Sequence, residues 1–140
     1  MTLKTIIDKL RAIALRTPNV RSVIVNDIYR ENAFKDVEYS VVAILQDEHI
    51  SGENTVNYGI TLVYIDRLLR DAVNEVDIQS EGMLALTNII NTFIGENEDA
   101  MLGGEVAFTV FNQRFADDCA GVYARIGLVV ETNLGICYLR

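Results

Sequence analysis

The sequence predicts an α+β fold: an antiparallel sheet of four to five strands with two helices packed on one face. Two segments repeat apolar residues at the period of a helix, and four others alternate apolar and polar residues at the period of a strand. Consecutive alternating segments with short polar connections are typical of antiparallel pairing. The predicted order is α-(β)-β-β-α-β-β, and 140 residues suit a single domain spanning 1–140.

The first helix is predicted in "TLKTIIDKLRAIALR", residues 2–16. Its apolar residues fall within an arc of about 120° when successive residues are turned by about 100°. They are Leu3, Ile6, Ile7, Leu10, Ile13 and Ala14. Thr2 is the predicted N-cap, and Pro18 ends the helix because the residue before a proline avoids the α-helical region.

A long β-hairpin is predicted in residues 36–47 and 55–66, with the polar segment 47–54 as its connection. The first of these strands is apolar on both faces near its middle, so we expect both faces to be covered. Before the hairpin, residues 20–35 predict a short strand or an extended arm, because Val23 and Val25 alternate only briefly.

A second helix is predicted from about Ile78 to Phe93. Gly82 lies within its apolar arc, which predicts a close approach of the helix backbone to another element. Gly95 is the predicted C-cap. An acidic loop and two further alternating strands follow, at residues 96–104, 105–111 and 121–131.

Composition excludes several classes of function. The net charge of −8 would repel a phosphate backbone, so direct nucleic-acid binding is not expected. No apolar run reaches the roughly 18 residues needed to span a bilayer, and no signal peptide is recognisable, so we expect the chain to stay in the cytoplasm where it is made. Half of the residues are hydrophobic, which suggests that part of the apolar surface is buried between subunits.

One candidate nucleophile is Cys119, which follows Asp117 and Asp118. A thiolate nucleophile needs a nearby base, and His49 is the one histidine of the sequence, predicted in the distant hairpin connection. We therefore expect a turn at this position, in which an aspartate bonds backbone N–H groups and Gly121 relieves the backbone. Cys119 and Cys137 are expected to be free thiols.

The sequence predicts no metal-binding, phosphate-binding or paired-carboxylate site. The acidic residues with oxygen ligands to offer are Asp117, Asp118, Glu96, Glu98 and Asp99, but their spacing does not follow a calcium-binding loop. Gly103-Gly104 has no following lysine and is predicted as a turn rather than a phosphate loop. No carboxylate pair is singled out for hydrolysis. We assign no catalytic, cofactor-binding or metal-binding residue and expect no enzyme.

Contacts between subunits are the predicted use of the surface. Strands that are apolar on both sides offer a second face to bury, and Arg67 and Arg70 beside Asp66 and Asp71 suggest local or intersubunit ion pairs. The predicted interface comprises Val42, Ile44, Val63, Ile65, Arg67, Arg70 and Val129.

Two passages carry a resemblance to a known family. They are "YIDRLLRDAVNEVDIQSEGMLALTNIINTF" and "QRFADDCAGVYARIGLVVET", followed by Cys137. The chain resembles phage tail-terminator and tail-completion (head–tail connector) proteins over residues 36–137, and is similar to the ring proteins beneath the portal of crAss-like phages. The matching residues are Asp66, Leu68, Asp71, Asn74, Ile78, Gln79, Ser80, Phe115, Asp117, Gly121 and Val122. The passage through "NDIYREN" matches least well.

The resemblance implies a tail-terminator-like fold and a virion structural protein that forms a hexameric or dodecameric ring between portal and tail. Its neighbours would be portal, connector-ring or tail proteins, and it would be assembled in the host cytoplasm. Genomic DNA would pass through the lumen without specific binding, which a lumen lined with carboxylates would favour. No membrane contact and no catalytic residue are implied.

An alternative hypothesis from the same residues is that the chain is a cytoplasmic α+β protein-binding module or a small oligomeric ligand-binding domain. Such a protein would use the same sheet to hold a partner, with no closed ring. The two readings differ in the oligomer that the purified chain forms.

Overall fold

The described residues form two helices and a mixed sheet of six strands. The computed structural model describes residues 1–26, 38–69, 73–112 and 119–131. In chain order the elements are α1 Leu3–Arg16, β1 Ser22–Val25, β2 Val41–Ser51, β3 Thr55–Arg67, α2 Glu75–Glu96, β4 Ala100–Leu102, β5 Ala107–Asn112 and β6 Cys119–Glu131. The α+β class is confirmed, and β4 lies where the sequence predicts an acidic loop.

The sheet has the order β1-β2-β3-β6, and both β4 and β5 pair with the far side of β6. The β1–β2 pair is parallel and every other pair is antiparallel, so the sheet is mostly but not wholly antiparallel. β1 is the short strand predicted in residues 20–35; the remainder of that segment, from residue 27, lies outside the described residues.

β4 and β5 run in the same direction along β6 and form one interrupted strand. Leu102 pairs with Leu128, and Ala107 pairs with Arg125, so residues 103–106 lie opposite residues 126–127. This is a bulge with extra residues on the outer strand. The prediction of a turn at Gly103-Gly104 is wrong, because the chain does not reverse; Gly104 has a φ of +96°, which glycine adopts without strain.

The β2–β3 hairpin is longer than the sequence predicts. Pairing continues to Ser51, opposite Val56, so most of the predicted polar connection belongs to β2. These residues are polar because this end of the strand is largely exposed, while their backbone groups still pair with β3. A bulge between Gln46 and His49 shifts the register, and Gly59 faces it: a Cβ there would collide with the carbonyl oxygen of Glu48.

Helix α1 begins and ends as predicted. The Thr2 side chain accepts a hydrogen bond from the backbone N–H of Thr5, and Thr17 is the C-cap immediately before Pro18. The Thr17 hydroxyl also donates to the carbonyl oxygen of Ile13 at 2.8 Å. Five of the six apolar residues of the predicted arc are buried; they are Ile6, Ile7, Leu10, Ile13 and Ala14.

Helix α2 continues past the predicted cap. Gly95 lies within the helix, and Asn97 is the C-cap. The Asn97 side-chain amide donates to the carbonyl oxygen of Phe93 at 2.8 Å and accepts a hydrogen bond from the Lys9 ammonium at 2.5 Å. The prediction that Gly95 is the C-cap is wrong. The buried Asn97 side chain bonds a carbonyl oxygen of the last turn, so the helix ends without a glycine in the left-handed conformation.

Both helices pack on one face of the sheet, as predicted. The main core lies between them and the side chains of β2, β3 and β6 that point to that face. A smaller cluster occupies the opposite face and consists of Ala43, Val63, Ile65, Phe111 and Cys119. The strands at the centre of the sheet are therefore buried on both faces over much of their length.

Two glycines allow α2 and the strands to approach each other closely. A Cβ on Gly82 would lie 2.6 Å from Val122 Cγ1 and 2.8 Å from Tyr64 Cδ1, which confirms the predicted close approach. A Cβ on Gly121 would collide with the carbonyl oxygen of Tyr64. Gly121 lies within β6, so its predicted role in a turn is wrong; the space is taken by the neighbouring strand.

Alanine substitutions at Gly82 and Gly95, both in α2, separate the effect of packing on stability from the effect of helix propensity. We expect Gly82→Ala to lower the free energy of unfolding by about 1–3 kcal/mol, because the added methyl overlaps buried side chains. Gly95→Ala, in the same helix with no atom within 4 Å of the added Cβ, should raise it by up to about 1 kcal/mol. Denaturant titration of both variants measures the difference, and equal effects of the same sign would contradict the assigned contact.

Candidate interaction surface

His49 and Cys119 lie at opposite ends of the sheet. His49 pairs with Tyr58 on β3, whereas Cys119 pairs with Arg67 at the other end of the same strand. Nine residues of extended strand separate these two positions, about 30 Å at roughly 3.3 Å per residue. The histidine therefore cannot take a proton from this thiol, and the pair forms no nucleophilic site.

Cys119 packs in the smaller hydrophobic cluster of the fold. Cys119 is buried at the start of β6 and is the one cysteine among the described residues. Its thiol lies 3.6 Å from the Tyr39 hydroxyl, and the Arg67 guanidinium lies 4.9 Å from the centroid of the Tyr39 ring. Cys137 and the turn predicted at Asp117 and Asp118 lie outside the described residues.

The acidic candidates form no metal centre among the described residues, where no group of three or more His, Cys, Asp or Glu side chains is placed to hold an ion. Glu96 pairs instead with Arg16 of α1 at 3.1 Å. Glu98 and Asp99 are exposed in the connection between α2 and β4. Asp117 and Asp118 again lie outside the described residues.

Tyr64 is a buried tyrosine whose pKa is raised. Burial raises the pKa above the ordinary value of 10.0; a hydrogen bond with Ser40 lowers it, and the carboxylates of Asp66 and Glu81 raise it. The phenol is therefore neutral near pH 7 and serves as a packing residue under α2.

The predicted interface residues on β2 and β3 are core residues. Val42 and Ile44 lie under the helices, and Val63 and Ile65 belong to the cluster on the opposite face. All four side chains are buried within the chain, so their expected exposure for contact with another subunit is wrong. The chain itself covers both faces of these strands, and the sequence pattern is the same whether the cover is internal or comes from a partner.

The remaining predicted interface residues have different positions. Val129 is half-buried on β6, opposite Met101 of β4. Arg67 is exposed at the end of β3 and lies over the Tyr39 ring. Arg70 lies outside the described residues. Of the seven residues, Val129 and Arg67 are thus the two that the structure places at or near the surface.

Exposed large apolar side chains instead concentrate around the N-terminal half of α2. We call these residues the α2 surface: Leu69, Val73, Val76, Met83 and Leu84. Val76 is 74% exposed and Leu84 is 65% exposed. Val76, Met83 and Leu84 fall outside the apolar arc of α2, so the helical period alone marks them as solvent-facing positions rather than as a contact surface.

Two features of the fold create the α2 surface. The Asn74 side chain accepts a hydrogen bond from the Leu69 N–H at 2.7 Å and donates to the Arg67 carbonyl oxygen at 3.1 Å, which holds Leu69 beside the start of α2. Helix α1 is shorter than α2 and contacts its C-terminal end, where Arg16 pairs with Glu96. The outer side of the N-terminal half of α2 is left uncovered by α1.

Uncharged strands lie at both edges of the sheet, β1 at one edge and β4 and β5 at the other. β1 has the sequence SVIV and β5 has the sequence AFTVFN. Among the described residues, no strand pairs with the outer edge of either one. Unpaired backbone N–H and C=O groups at such an edge can bind another strand.

Comparison of the sequence with protein-family models gives no match, and comparison with curated proteins gives none. The function of the chain is therefore inferred from its residues and surfaces. In the part of the chain that the structure describes, no helix has both the length and the apolar character needed to cross a bilayer.

Aspartate substitutions on β2 test which residues belong to the core. Ile44 is 0% exposed and Ile50, on the same strand, is 57% exposed. We expect Ile44→Asp to lower the free energy of unfolding by about 4 kcal/mol or more, because the carboxylate would be buried without a partner. Ile50→Asp should change it by less than about 1 kcal/mol. A folded Ile44→Asp variant with native thermal stability would contradict the burial of this face.

Proposed function

We propose that this chain is a virion structural protein, the subunit of a ring in the phage head–tail connector or neck. The ring joins portal and tail and lines the conduit through which DNA passes. The proposal starts from the resemblance of residues 64–93 and 113–132 to tail-terminator and tail-completion proteins. An α+β architecture, with two helices on one face of a mostly antiparallel sheet, is compatible with a tail-terminator-like fold.

The α2 surface is the observation that carries the proposal. The core of the chain is filled on both faces of the central strands, yet large apolar side chains remain together on the outside of α2. Several large apolar side chains exposed on and beside one helix of a well-packed protein are typical of a protein–protein contact. We assign the α2 surface to contacts between subunits of the assembled ring.

Charge favours a conduit over a nucleic-acid-binding protein. The net charge of −8 disfavours lasting contacts with DNA phosphates, so genomic DNA would pass through the lumen without specific binding. The neighbours of the ring would be portal, connector-ring or tail proteins. Assembly would take place in the host cytoplasm, and the product would be part of the virion, with no catalytic role.

The α2 surface also favours a second candidate, a cytoplasmic protein-binding module or a small oligomeric ligand-binding domain. An amphipathic helix with an uncovered apolar side can hold a partner without any ring. A closed ring of six or twelve copies is expected of the connector subunit alone. Stoichiometry therefore separates the two functions.

Ring formation by the purified chain tests the proposed function. We expect a concentration-dependent shift from monomer to a hexamer or dodecamer in sedimentation velocity, with ring-shaped particles in negative-stain electron microscopy, because closed symmetry covers the contact surface of every copy. A protein that stays monomeric or dimeric throughout the accessible concentration range would contradict the ring.

Two leucine substitutions test the contact at the α2 surface. Leu84→Glu should weaken association by about tenfold or more, since it places a charge in an apolar contact. Leu15→Glu is the matched control, because Leu15 is also an exposed helix leucine, at 52%, but lies on α1 away from the α2 surface. Sedimentation of both variants measures the effect, and equal loss or equal retention of assembly would remove the α2 surface from the contact.

A further inference from the structure

We infer that the outer edges of β1 and β5 join neighbouring copies of this chain by antiparallel strand pairing, so that the sheets of adjacent subunits become continuous. The inference rests on the ring assembly of the proposed function and names the backbone contact that closes it. Its surfaces, the β1 edge and the β5 edge, are distinct from the α2 surface.

The β5 edge lacks the features that prevent strands from pairing between molecules. Its six residues include no charge and no proline. Ala107, Thr109 and Val110 are exposed, and Val110 is 51% exposed. Natural proteins usually protect a solvent-exposed edge with lysine, proline, a bulge or a short strand. An unprotected edge of this length is suited to receive another strand.

The neighbouring parts of both sheet margins do carry such protection. Beyond β1, the outer side of β2 is interrupted by the bulge between Gln46 and His49 and carries the charges of Asp47 and Glu48. Beyond β5, the margin is interrupted by the bulge at residues 103–106, which includes Glu105. On each side of the sheet, an uncharged strand thus lies beside a bulged segment that carries charge, so we place the pairing at β1 and β5.

Strand direction makes the two edges compatible. β2 runs with β1, β3 runs against them, β6 runs with β1, and β5 runs against β1. A copy rotated about an axis along the strands keeps its strand direction, so its β1 meets β5 in the antiparallel sense. The same rotation keeps the helices of both copies on the same side of the continuous sheet. Antiparallel pairing is the more stable arrangement per residue.

A contact between two different edges is also the kind that can close into a ring. Contact of β1 with β5 is heterologous, because each copy uses one edge toward each neighbour, and a heterologous contact closes into a ring when the rotation permits. Pairing of β5 with β5 would instead be isologous and would stop at a dimer. The four residues of β1 and the six of β5 also bring uncharged segments together, which matters for copies that each carry a net charge of −8.

Consecutive proline substitutions on β5 test the pairing. Thr109 and Val110 are neighbours, and successive residues of an antiparallel strand direct their N–H groups alternately toward β6 and toward the open edge. Proline at the position facing β6 removes a bond of the sheet, and proline at the other position removes a donor of the open edge. We expect one of Thr109→Pro and Val110→Pro to keep the wild-type melting temperature while losing ring formation in sedimentation velocity.

A second variant and a control cover the case in which both proline variants unfold. Thr109→Lys, at an exposed position, should keep the fold and weaken association at least tenfold. Glu105→Lys, also exposed and just outside β5, changes the net charge by more and should leave association intact or stronger. Assembly that persists in a folded proline variant and in Thr109→Lys would overturn the inference while leaving the proposed ring in place.

Peptide binding tests the same edge without ring formation. A fluorescently labelled peptide of residues 20–26, VRSVIVN, should bind the wild-type chain in fluorescence anisotropy and slow backbone amide exchange in β5. The same peptide with Ile24→Pro should bind at least tenfold more weakly. If the chain is monomeric and binds the peptide, the edge is correct and the proposed ring is not. Absence of peptide binding to monomeric protein would overturn the edge.

Discussion

The packing of α2 against β3 and β6 is the contact on which the rest of the structure depends. Gly82 brings the helix backbone against the Tyr64 ring and Val122, and Gly121 lets β6 lie beside the backbone of Tyr64. Tyr64 is thus enclosed by a helix and a neighbouring strand, with its hydroxyl bonded to Ser40. Dense packing of this kind fixes the position of α2, and therefore the position of the apolar side chains on its outer side.

Closure of both faces of the central strands limits where another protein can bind. The side chains of Ile44 and Ile65 are used within the chain, on opposite faces of the sheet. What the described residues leave open is the α2 surface and the backbone of the β1 and β5 edges. Side chains and backbone thus offer two kinds of contact, one apolar and one made of hydrogen bonds. A structural subunit that repeats around a ring needs contacts of this sort on opposite sides.

Elements with a strong apolar period were predictable from the sequence. Helix α1, its N-cap at Thr2, its end before Pro18, the β2–β3 hairpin and the close approach at Gly82 follow from local spacing and local chemistry. The outer part of β2 was not predicted because its side chains are mostly polar, and β4 was not predicted because three residues are too few to show a period; only pairing with β3 and β6 makes both segments strands. The C-cap of α2 is Asn97 rather than the predicted Gly95, and its side chain is held by Lys9, which is distant in sequence.

The candidate surface was less predictable than the fold. A strand covered on both faces has the same sequence pattern whether its own chain or a partner covers it, so Val42 and Ile44 were assigned to an interface. Three residues of the α2 surface, Val76, Met83 and Leu84, lie on the side of the helix that the period marks as exposed, and Leu69 and Val73 lie in the segment before it. An open sheet edge depends on strand order, which local spacing does not give.

Hydrogen–deuterium exchange of the assembled and dissociated protein tests most directly whether sheet edges join the copies. In the assembled form, the backbone amides of β1 and β5 should exchange more slowly than in the free subunit, whereas those of the central strands should be slow in both. If an assembly forms and both edge strands exchange as fast as in the free subunit, the copies are joined elsewhere and the continuous sheet is contradicted.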